Sequence, residues 1–148
     1  MIGISGFSQK LDIKLLLSVL NEPFHRSDSI LLNNKFTLAD KETGDGYFNY
    51  YYTSYEKADK KTQLLRSLSI MDVFNENDTS RLILYRTYSK KDQEDLASQL
   101  RTSGFEITKR NGNDFIYQNE KMSITNKVNE KTTPGGEKVM VYEFELGR

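Results

Sequence analysis

The stretch Ser89–Leu146 most constrains the fold, because its hydrophobic period changes once from 3.6 to 2. Within Lys90–Ser103, Leu96 and Leu100 lie four apart among polar residues, which is typical of an amphipathic helix with one buried stripe. Gly104 should end this helix, since glycine readily adopts the left-handed conformation that follows a helix C terminus. The alternating segments that follow predict antiparallel strands.

Short segments with apolar residues at alternate positions mark these strands. The apolar residues are Phe105 and Ile107, then Phe115 and Tyr117, then Met122 and Ile124, and finally Met140, Tyr142, Phe144 and Leu146. Asn111–Gly112 predicts a hairpin turn, since both residues tolerate positive φ. Asn126–Glu137 is polar, and its Pro134–Gly136 segment acts as a breaker. In the last strand we expect one face in the core and the other in water.

The first half predicts a similar order of elements. Ser8–Asn21 forms a helix in this interpretation, with the apolar stripe Leu11, Leu15, Leu16, Val19 and Leu20, and Pro23 ends it. The predicted elements that follow are a strand or small hairpin at Ile30–Leu38 around Asn33–Asn34, a turn at Thr43–Gly46, an aromatic strand at Tyr47–Tyr55, a charged loop at Glu56–Lys61 and a strand at Leu82–Tyr88. Gln63–Phe74 fits both a helical stripe and a strand, and we adopt the strand.

Three pairs of segments suggest that the chain is a tandem duplication. Leu15, Val19, Pro23 and Phe24 match Leu96, Leu100, Gly104 and Phe105 in spacing, Asn33–Leu38 matches Asn119–Ile124, and Gly46 matches Gly136. We therefore expect one domain over residues 1–148, made of two repeats at about 8–88 and 89–148. The fold class is α+β: a long antiparallel sheet from two α-β-β-β-β repeats, with the helices packed on one face.

Composition narrows the function classes. Lys+Arg and Asp+Glu both number 21, and this balance argues against a nucleic-acid binder, which usually has a basic excess. The chain has no cysteine, so disulfides, thiol catalysis and cysteine metal sites are excluded. The apolar run Leu11–Leu20 is too short to span a bilayer and lacks the basic leader of a signal peptide. We expect no membrane insertion, and either a cytosolic location or export with the leader removed.

The layout resembles a known tandem-repeat fold. The run Leu82–Arg86, Lys90, Leu96–Leu100 and Gly104–Phe105 gives a strand, a lysine, a helix and a Gly-Phe strand start. This order resembles uncharacterised exported proteins of Bacteroidetes-type bacteria, the β-lactamase inhibitory protein family and, more loosely, the saddle of the TATA-box-binding protein. The resemblance implies a sheet whose helix-free face is open to a protein partner, and a periplasmic or extracellular location. It transfers no functional residue.

Three groups of polar residues were weighed as chemical sites, and each has a simpler interpretation. His25 is the only histidine, which excludes a catalytic triad and a two-histidine metal site; Asp28 is its nearest carboxylate in sequence. Asp40, Glu42 and Asp45 fail the calcium-loop pattern and favour a hairpin turn. Glu143 and Glu145 share one strand face, which favours a solvated face over a glycosidase pair. We therefore predict no catalytic residue, no metal and no cofactor.

The tyrosines remain as the candidate binding residues. There are 9, and the strand Tyr47–Tyr55 carries aromatic residues on both faces. Tyrosine is favoured at interfaces because it offers a large contact area at low entropy cost. The alternative is a central strand that is covered on both sides. We predict that Tyr47, Tyr51, Tyr55 and Tyr85 bind a protein or peptide and that the chain is not an enzyme. A self-assembling structural subunit such as a homodimer is the second hypothesis, and a small hydrolase is the third.

Overall fold

The computed structural model describes residues 12–58 and 61–148. This part of the chain contains three helices and eight strands. In chain order the elements are α1 (Ile13–Asn21), α2 (Phe24–Asn33), β1 (Thr37–Gly44), β2 (Tyr47–Ala58), β3 (Lys61–Phe74), β4 (Thr79–Thr87), α3 (Lys90–Thr102), β5 (Glu106–Asn111), β6 (Asp114–Gln118), β7 (Ser123–Thr132) and β8 (Lys138–Gly147).

All eight strands form one antiparallel sheet in the order β1-β2-β3-β4-β8-β7-β6-β5. Each group of four strands is an up-and-down meander, and the two groups join where β4 pairs with β8. The short strands β1 and β5 form the two edges. The predicted α+β class, with a long antiparallel sheet and its helices on one face, is confirmed.

The core lies between the helices and one face of the sheet. Because side chains alternate along each strand, cross-strand partners share a face, and they form rows across the sheet. One row joins Tyr52, Leu68, Tyr85 and Phe144; the next joins Tyr50, Ile70, Ile83, Leu146, Ile124 and Tyr117. All of these side chains are buried, and the helices cover them with Leu16, Leu20, Leu31, Leu96 and Leu100.

Helices α1 and α3 follow the predicted patterns. The Asp12 side chain caps α1 by accepting a hydrogen bond from the Leu15 N–H at 2.7 Å. Ser89 caps α3 in the same way, with Asp92 N–H as the donor at 3.3 Å. The predicted helix start at Ser8 and the stripe residue Leu11 lie outside the described residues.

Helix α2 was not predicted. Pro23 does not merely follow α1; it occupies the N-cap of α2, where a proline needs no N–H partner. The prediction of a strand or hairpin at Ile30–Leu38 is therefore wrong over Ile30–Asn33, which is helical. The short polar helix is held in place by Leu31, which is fully buried, and by Ser27, whose Oγ donates to the Val19 carbonyl at 2.9 Å.

The ends of α2 and α3 are alike, and this corrects the proposed correspondence between the two halves. Phe36 N–H donates to the Leu31 carbonyl at 3.0 Å, and Phe105 N–H donates to the Leu100 carbonyl at 3.0 Å. The residue before each phenylalanine has positive φ, 65° at Lys35 and 91° at Gly104. Both ends are therefore Schellman-type caps. Helix α2, rather than α1, corresponds to α3.

The strand registers continue this correspondence. The register shifts after Leu38 in β1 and after Ile107 in β5, at the same offset from the preceding cap. The turns that follow correspond as well, with Gly44 opposite Tyr47 and Asn111 opposite Asp114. The matches of Asn33–Leu38 with Asn119–Ile124 and of Gly46 with Gly136 are therefore wrong, because they equate β1 with β7 and β2 with β8. The tandem duplication itself stays a prediction.

Two segments that were predicted as loops are largely strand, and one ambiguous segment is a strand as predicted. The predicted loop Glu56–Lys61 is wrong over most of its length, since β2 continues to Ala58 and β3 begins at Lys61. The strand interpretation of Gln63–Phe74 is confirmed. The polar segment from Asn126 is part of β7 as far as Thr132.

No helix in the described ranges has the length and apolar character needed to cross a membrane.

Candidate functional site: a groove on the helix-free face

The alternate side chains of β2, β3 and β4 point away from the helices and line two adjoining depressions. One measures about 250 Å³ and is lined by Glu42, Asp45, Gly46, Tyr47, Asn49, Met71 and Val73. The other measures about 270 Å³ and is lined by Asn49, Ser69, Met71, Leu82, Leu84 and Arg86. Asn49 and Met71 line both, so the two form one surface, which we name the β2–β4 groove.

The apolar floor of this groove follows from the sequence of β4. Leu82 and Leu84 face the groove, whereas Ile83 and Tyr85 face the core, so β4 is apolar on both faces. The residue opposite Leu82 on β8 is Gly147, which has no side chain to cover it. Leu82 therefore keeps 40% of its surface exposed. An exposed leucine beside Met71 and Leu84 forms an apolar patch rather than a solitary surface residue.

The outer end of the groove is shaped by a glycine. Gly44 lies opposite Tyr47, and the Tyr47 ring contacts Gly44 so closely that a Cβ at this position would overlap it. The ring can therefore lie across β1, where its hydroxyl donates to Glu42 Oε1 at 3.0 Å. This hydrogen bond to a carboxylate raises the pKa of Tyr47 above its ordinary value. Tyr47 thus stays a neutral donor at the groove rim.

One polar atom in the groove has no hydrogen bond. Asn49 Oδ1 is buried and has no partner among the described residues. A buried amide oxygen without a donor costs about 1–3 kcal/mol, so such atoms are rare in folded proteins. Asn49 lines both depressions, but this oxygen has no appreciable accessible surface, so a ligand in the groove would reach it only after the side chain rotates.

Toward β8 the helix-free face becomes charged and paired. Arg86 Nε donates to Glu143 Oε2 at 2.8 Å, and Lys127 Nζ lies 3.6 Å from Glu145 Oε2. These pairs neutralise both glutamates that the sequence analysis had weighed as a glycosidase pair. The β2–β4 groove is thus bounded by ion pairs on its inner side.

Three of the four predicted tyrosines lie on the strand that borders the groove. Tyr47 and Tyr51 alternate with core residues on β2, as predicted, and Tyr55 is 57% exposed. Tyr51 also lies near Tyr88, whose pKa is raised by burial and by that neighbouring hydroxyl. Because β2 is one strand in from the β1 edge, the aromatic strand is not central in the sheet.

The placement of Tyr85 on a binding surface is wrong. Its side chain has no exposed surface and packs on the helix side, with its ring 6.3 Å from that of Phe144. The physical reason is the alternation of β4, which directs Leu82 and Leu84 outward and Tyr85 inward. A partner cannot contact Tyr85 while the core is intact.

The other candidate residues are spread over the molecule. His25 is exposed on α2, on the helix side, and Asp28 accepts the Tyr52 hydroxyl at 2.6 Å. Asp45 lies in the hairpin turn that the sequence analysis favoured over a calcium loop. The described ranges contain no group of three or more histidine, cysteine or acidic residues placed to hold a metal ion.

Comparisons with known proteins do not identify the family of this chain. No protein-family model, curated protein or solved structure matches this chain. The resemblance to the β-lactamase inhibitory protein family therefore stays a prediction that rests on layout.

Sequence reasoning missed Asn49, Met71, Leu82 and Leu84 as groove residues. A signal for them was present, because a strand with apolar residues on both faces has more apolar surface than one core can bury. This reasoning was applied to β2 and its aromatic residues but not to β4. The pairing of β2, β3 and β4, which brings the four residues together, depends on registers that the sequence does not display.

Proposed function

We propose that this chain is a non-enzymatic binding module that contacts a protein or peptide through the β2–β4 groove. The observation that supports this most is the contiguous, partly exposed apolar surface of Met71, Leu82 and Leu84 on the face that no helix covers. Apolar side chains with a few polar groups at their rim are the usual composition of a recognition surface. Tyr47, Tyr51 and Tyr55 flank this surface as further candidate contacts, and Tyr85 is no longer among them.

The composition of the groove favours binding over catalysis. Its lining residues offer amide, hydroxyl, thioether, carboxylate and guanidinium groups, but the single histidine is on the other side of the sheet, on α2. Ser69 therefore has no imidazole to activate it as a nucleophile.

The edge strands bear on the self-assembly hypothesis. β1 carries Asp40, Lys41 and Glu42, and β5 carries Lys109 and Arg110. Charged edges discourage the addition of further strands. Self-assembly by sheet extension is therefore disfavoured.

A partner isolated from the native host tests the proposal. Leu82→Asp should lower its affinity for the chain at least about tenfold, measured by titration calorimetry, because it places a charge in the apolar floor. Met140→Asp is the matched control, since Met140 is 39% exposed against 40% for Leu82 but lies on the other side of the sheet. Unchanged affinity of the Leu82→Asp variant would show that binding uses another surface.

A further inference from the structure

We infer that the segment bound in the β2–β4 groove is cationic: a stretch of a partner protein in which apolar side chains alternate with lysine or arginine. This inference rests on the proposed function and adds the chemistry of the ligand. It follows from the charges around the groove and from the unused acceptor of Asn49.

The outer rim of the groove is negatively charged. Asp40 and Glu42 lie on the helix-free side of β1, opposite Tyr51 and Asn49, and Asp45 follows in the turn. None of these three carboxylates forms an ion pair with another residue of the described ranges. Three exposed negative charges along one short edge repel each other, and a cation placed between them removes that repulsion.

The nearest lysine on the same strand does not neutralise this rim. Lys41 lies between Asp40 and Glu42 in sequence, so its side chain points to the helix side. There its Nζ lies 5.4 Å from the ring centroids of both Phe48 and Tyr50. The alternation of β1 thus separates its charges, with the anions beside the groove and the cation behind it.

Asn49 gives a second reason to expect a hydrogen-bond donor in the ligand. Asn49 Oδ1 is a buried acceptor without a partner, and Lys and Arg side chains provide only donors. A lysine or arginine could satisfy this oxygen once the Asn49 side chain rotates toward the groove, while its aliphatic stem packs on Met71 and Leu82. A carboxylate side chain would offer Asn49 no donor and would face three carboxylates.

The second half of the molecule contains an equivalent depression that is lined by two lysines and one aspartate instead of an acidic rim. It measures about 180 Å³ and is lined by Lys109, Asn111, Asp114, Ile116, Thr125 and Lys127. Lys109 pairs with Ile116 in β5–β6 as Glu42 pairs with Asn49 in β1–β2. The molecule therefore carries an internal control, at which a cationic segment should not bind.

Amide chemical shifts in the ¹⁵N-labelled full chain test the inference with three short synthetic peptides. One alternates leucine with lysine, one alternates leucine with glutamate, and one alternates serine with lysine. The leucine–lysine peptide should shift amides around Asn49 and Met71 and leave those around Ile116 unchanged. The other two peptides should bind at least about tenfold more weakly, because each lacks the apolar contacts or the positive charge.

Charge variants then show which groups recognise the peptide. The triple variant Asp40→Asn, Glu42→Gln, Asp45→Asn should weaken the leucine–lysine peptide about tenfold, and added salt should weaken its binding to the original chain. Lys109→Gln is the matched control and should leave binding unchanged. All four positions are exposed, so the fold should persist, which unchanged thermal midpoints will verify.

Several results would overturn the inference. Equal binding of the leucine–glutamate peptide, or an unchanged affinity of the triple variant, would show that charge does not select the ligand. Shifts at Asn49 that appear on raising the protein concentration without peptide would make a second copy the occupant. If Leu82→Asp abolishes binding of the native partner while the triple variant does not, the proposed function is supported and the inference of a cationic ligand is wrong.

Discussion

Arg81 connects α1 to the sheet, and its removal should be the most costly single polar substitution in the fold. Its guanidinium donates to Asp72 Oδ1 at 2.6 Å and to Asp72 Oδ2 at 3.0 Å. Nη1 also donates to the Val19 carbonyl at 2.8 Å, the Glu22 carbonyl at 2.7 Å and Ser27 Oγ at 3.1 Å. The positive charge thus lies at the C-terminal end of α1, where the helix dipole favours it.

The cost of Arg81→Met follows from what the substitution leaves behind. The Asp72 side chain is only 7% exposed, and it would become a buried carboxylate without a counter-charge. Removing one partner of such a pair costs about 3–5 kcal/mol. That is a large share of the roughly 5–15 kcal/mol that stabilises a typical domain. The two carbonyls at the end of α1 and Ser27 Oγ on α2 would also lose a donor, so we expect a loss of about 4 kcal/mol.

Urea unfolding followed by circular dichroism measures this loss as a lower midpoint at constant slope. The double variant Arg81→Met, Asp72→Leu should recover about 2 kcal/mol, because no unpaired charge remains buried. Arg26→Met is the control: its partner Glu22 is also a carboxylate, but the Glu22 side chain is 39% exposed, so the cost should stay below about 1 kcal/mol. A double variant no more stable than Arg81→Met would refute the reasoning.

Three further predictions concern tyrosines and helix ends. Tyr85→Phe should leave the free energy of thermal unfolding unchanged or raise it by up to about 1 kcal/mol, since the buried Tyr85 hydroxyl has no hydrogen-bond partner in the part of the chain that the structure describes; a clear loss would contradict this. Burial raises the pKa of Tyr52 and of Tyr85 above the usual 10.0. Their contribution to stability is therefore complete below pH 10 and is lost above it, by about 1.4 kcal/mol per pH unit for each tyrosine; urea midpoints that stay constant between pH 9 and 11 would refute this. Relief of the backbone strain at Lys35, which has φ of 65° where α3 has Gly104, should add about 0.5–1 kcal/mol to the free energy of unfolding in urea of Lys35→Gly, whereas Gly46→Ala, at φ of 77°, should lower that free energy by about as much.

The sequence predicted the elements whose hydrophobic period is regular. α3 was found because Leu96 and Leu100 are spaced by one turn between a serine cap and a glycine, and β8 because Tyr142, Phe144 and Leu146 alternate. Each of these signals is local, so it survives without knowledge of the neighbours. The fold class followed once the same order of elements was found twice.

Polar residues buried by tertiary contacts account for most of the errors. Asn126 has no exposed surface because its side chain accepts from Gln93 Nε2 at 3.1 Å and donates to the Glu143 carbonyl at 3.2 Å. Arg66 is buried in the same way by a two-bond contact with Asp92 at the start of α3. Such residues look like loop residues in a sequence, since their partners are distant in the chain. Asn126 was assigned to a polar loop for this reason, whereas the end of β7, residues 129–132, was assigned to it because these exposed residues are polar.

Only part of the candidate site could be predicted from the sequence, because the rest depends on which strands pair and which face the helices cover. The tyrosines of β2 are conspicuous, and their two faces were assigned correctly, but the floor of the groove comes from β3 and β4. Which face of β4 is covered depends on the position of the helices. Tyr85 was placed on the surface because it is a tyrosine on a strand, whereas the register makes Leu82 and Leu84 the outward residues.

The two halves of the sheet have similar backbone geometry but different side chains, so they can share a fold without binding the same ligand. Their helix caps and two-residue turns correspond, although β5 has two residues fewer than β1 between the register shift and the turn, and a depression lies beside the turn in each half. Counted from these turns, Glu42 corresponds to Lys109, Asn49 to Ile116 and Met71 to Thr125, so the side chains offered to a partner differ. Because such exchanges leave the core rows untouched, they cost the fold little while reversing the charge offered to a partner. Exchanging Glu42 and Lys109 should therefore preserve stability and transfer the preference for a cationic peptide toward the second half; loss of folding on this exchange would show that the charges serve the sheet rather than the groove.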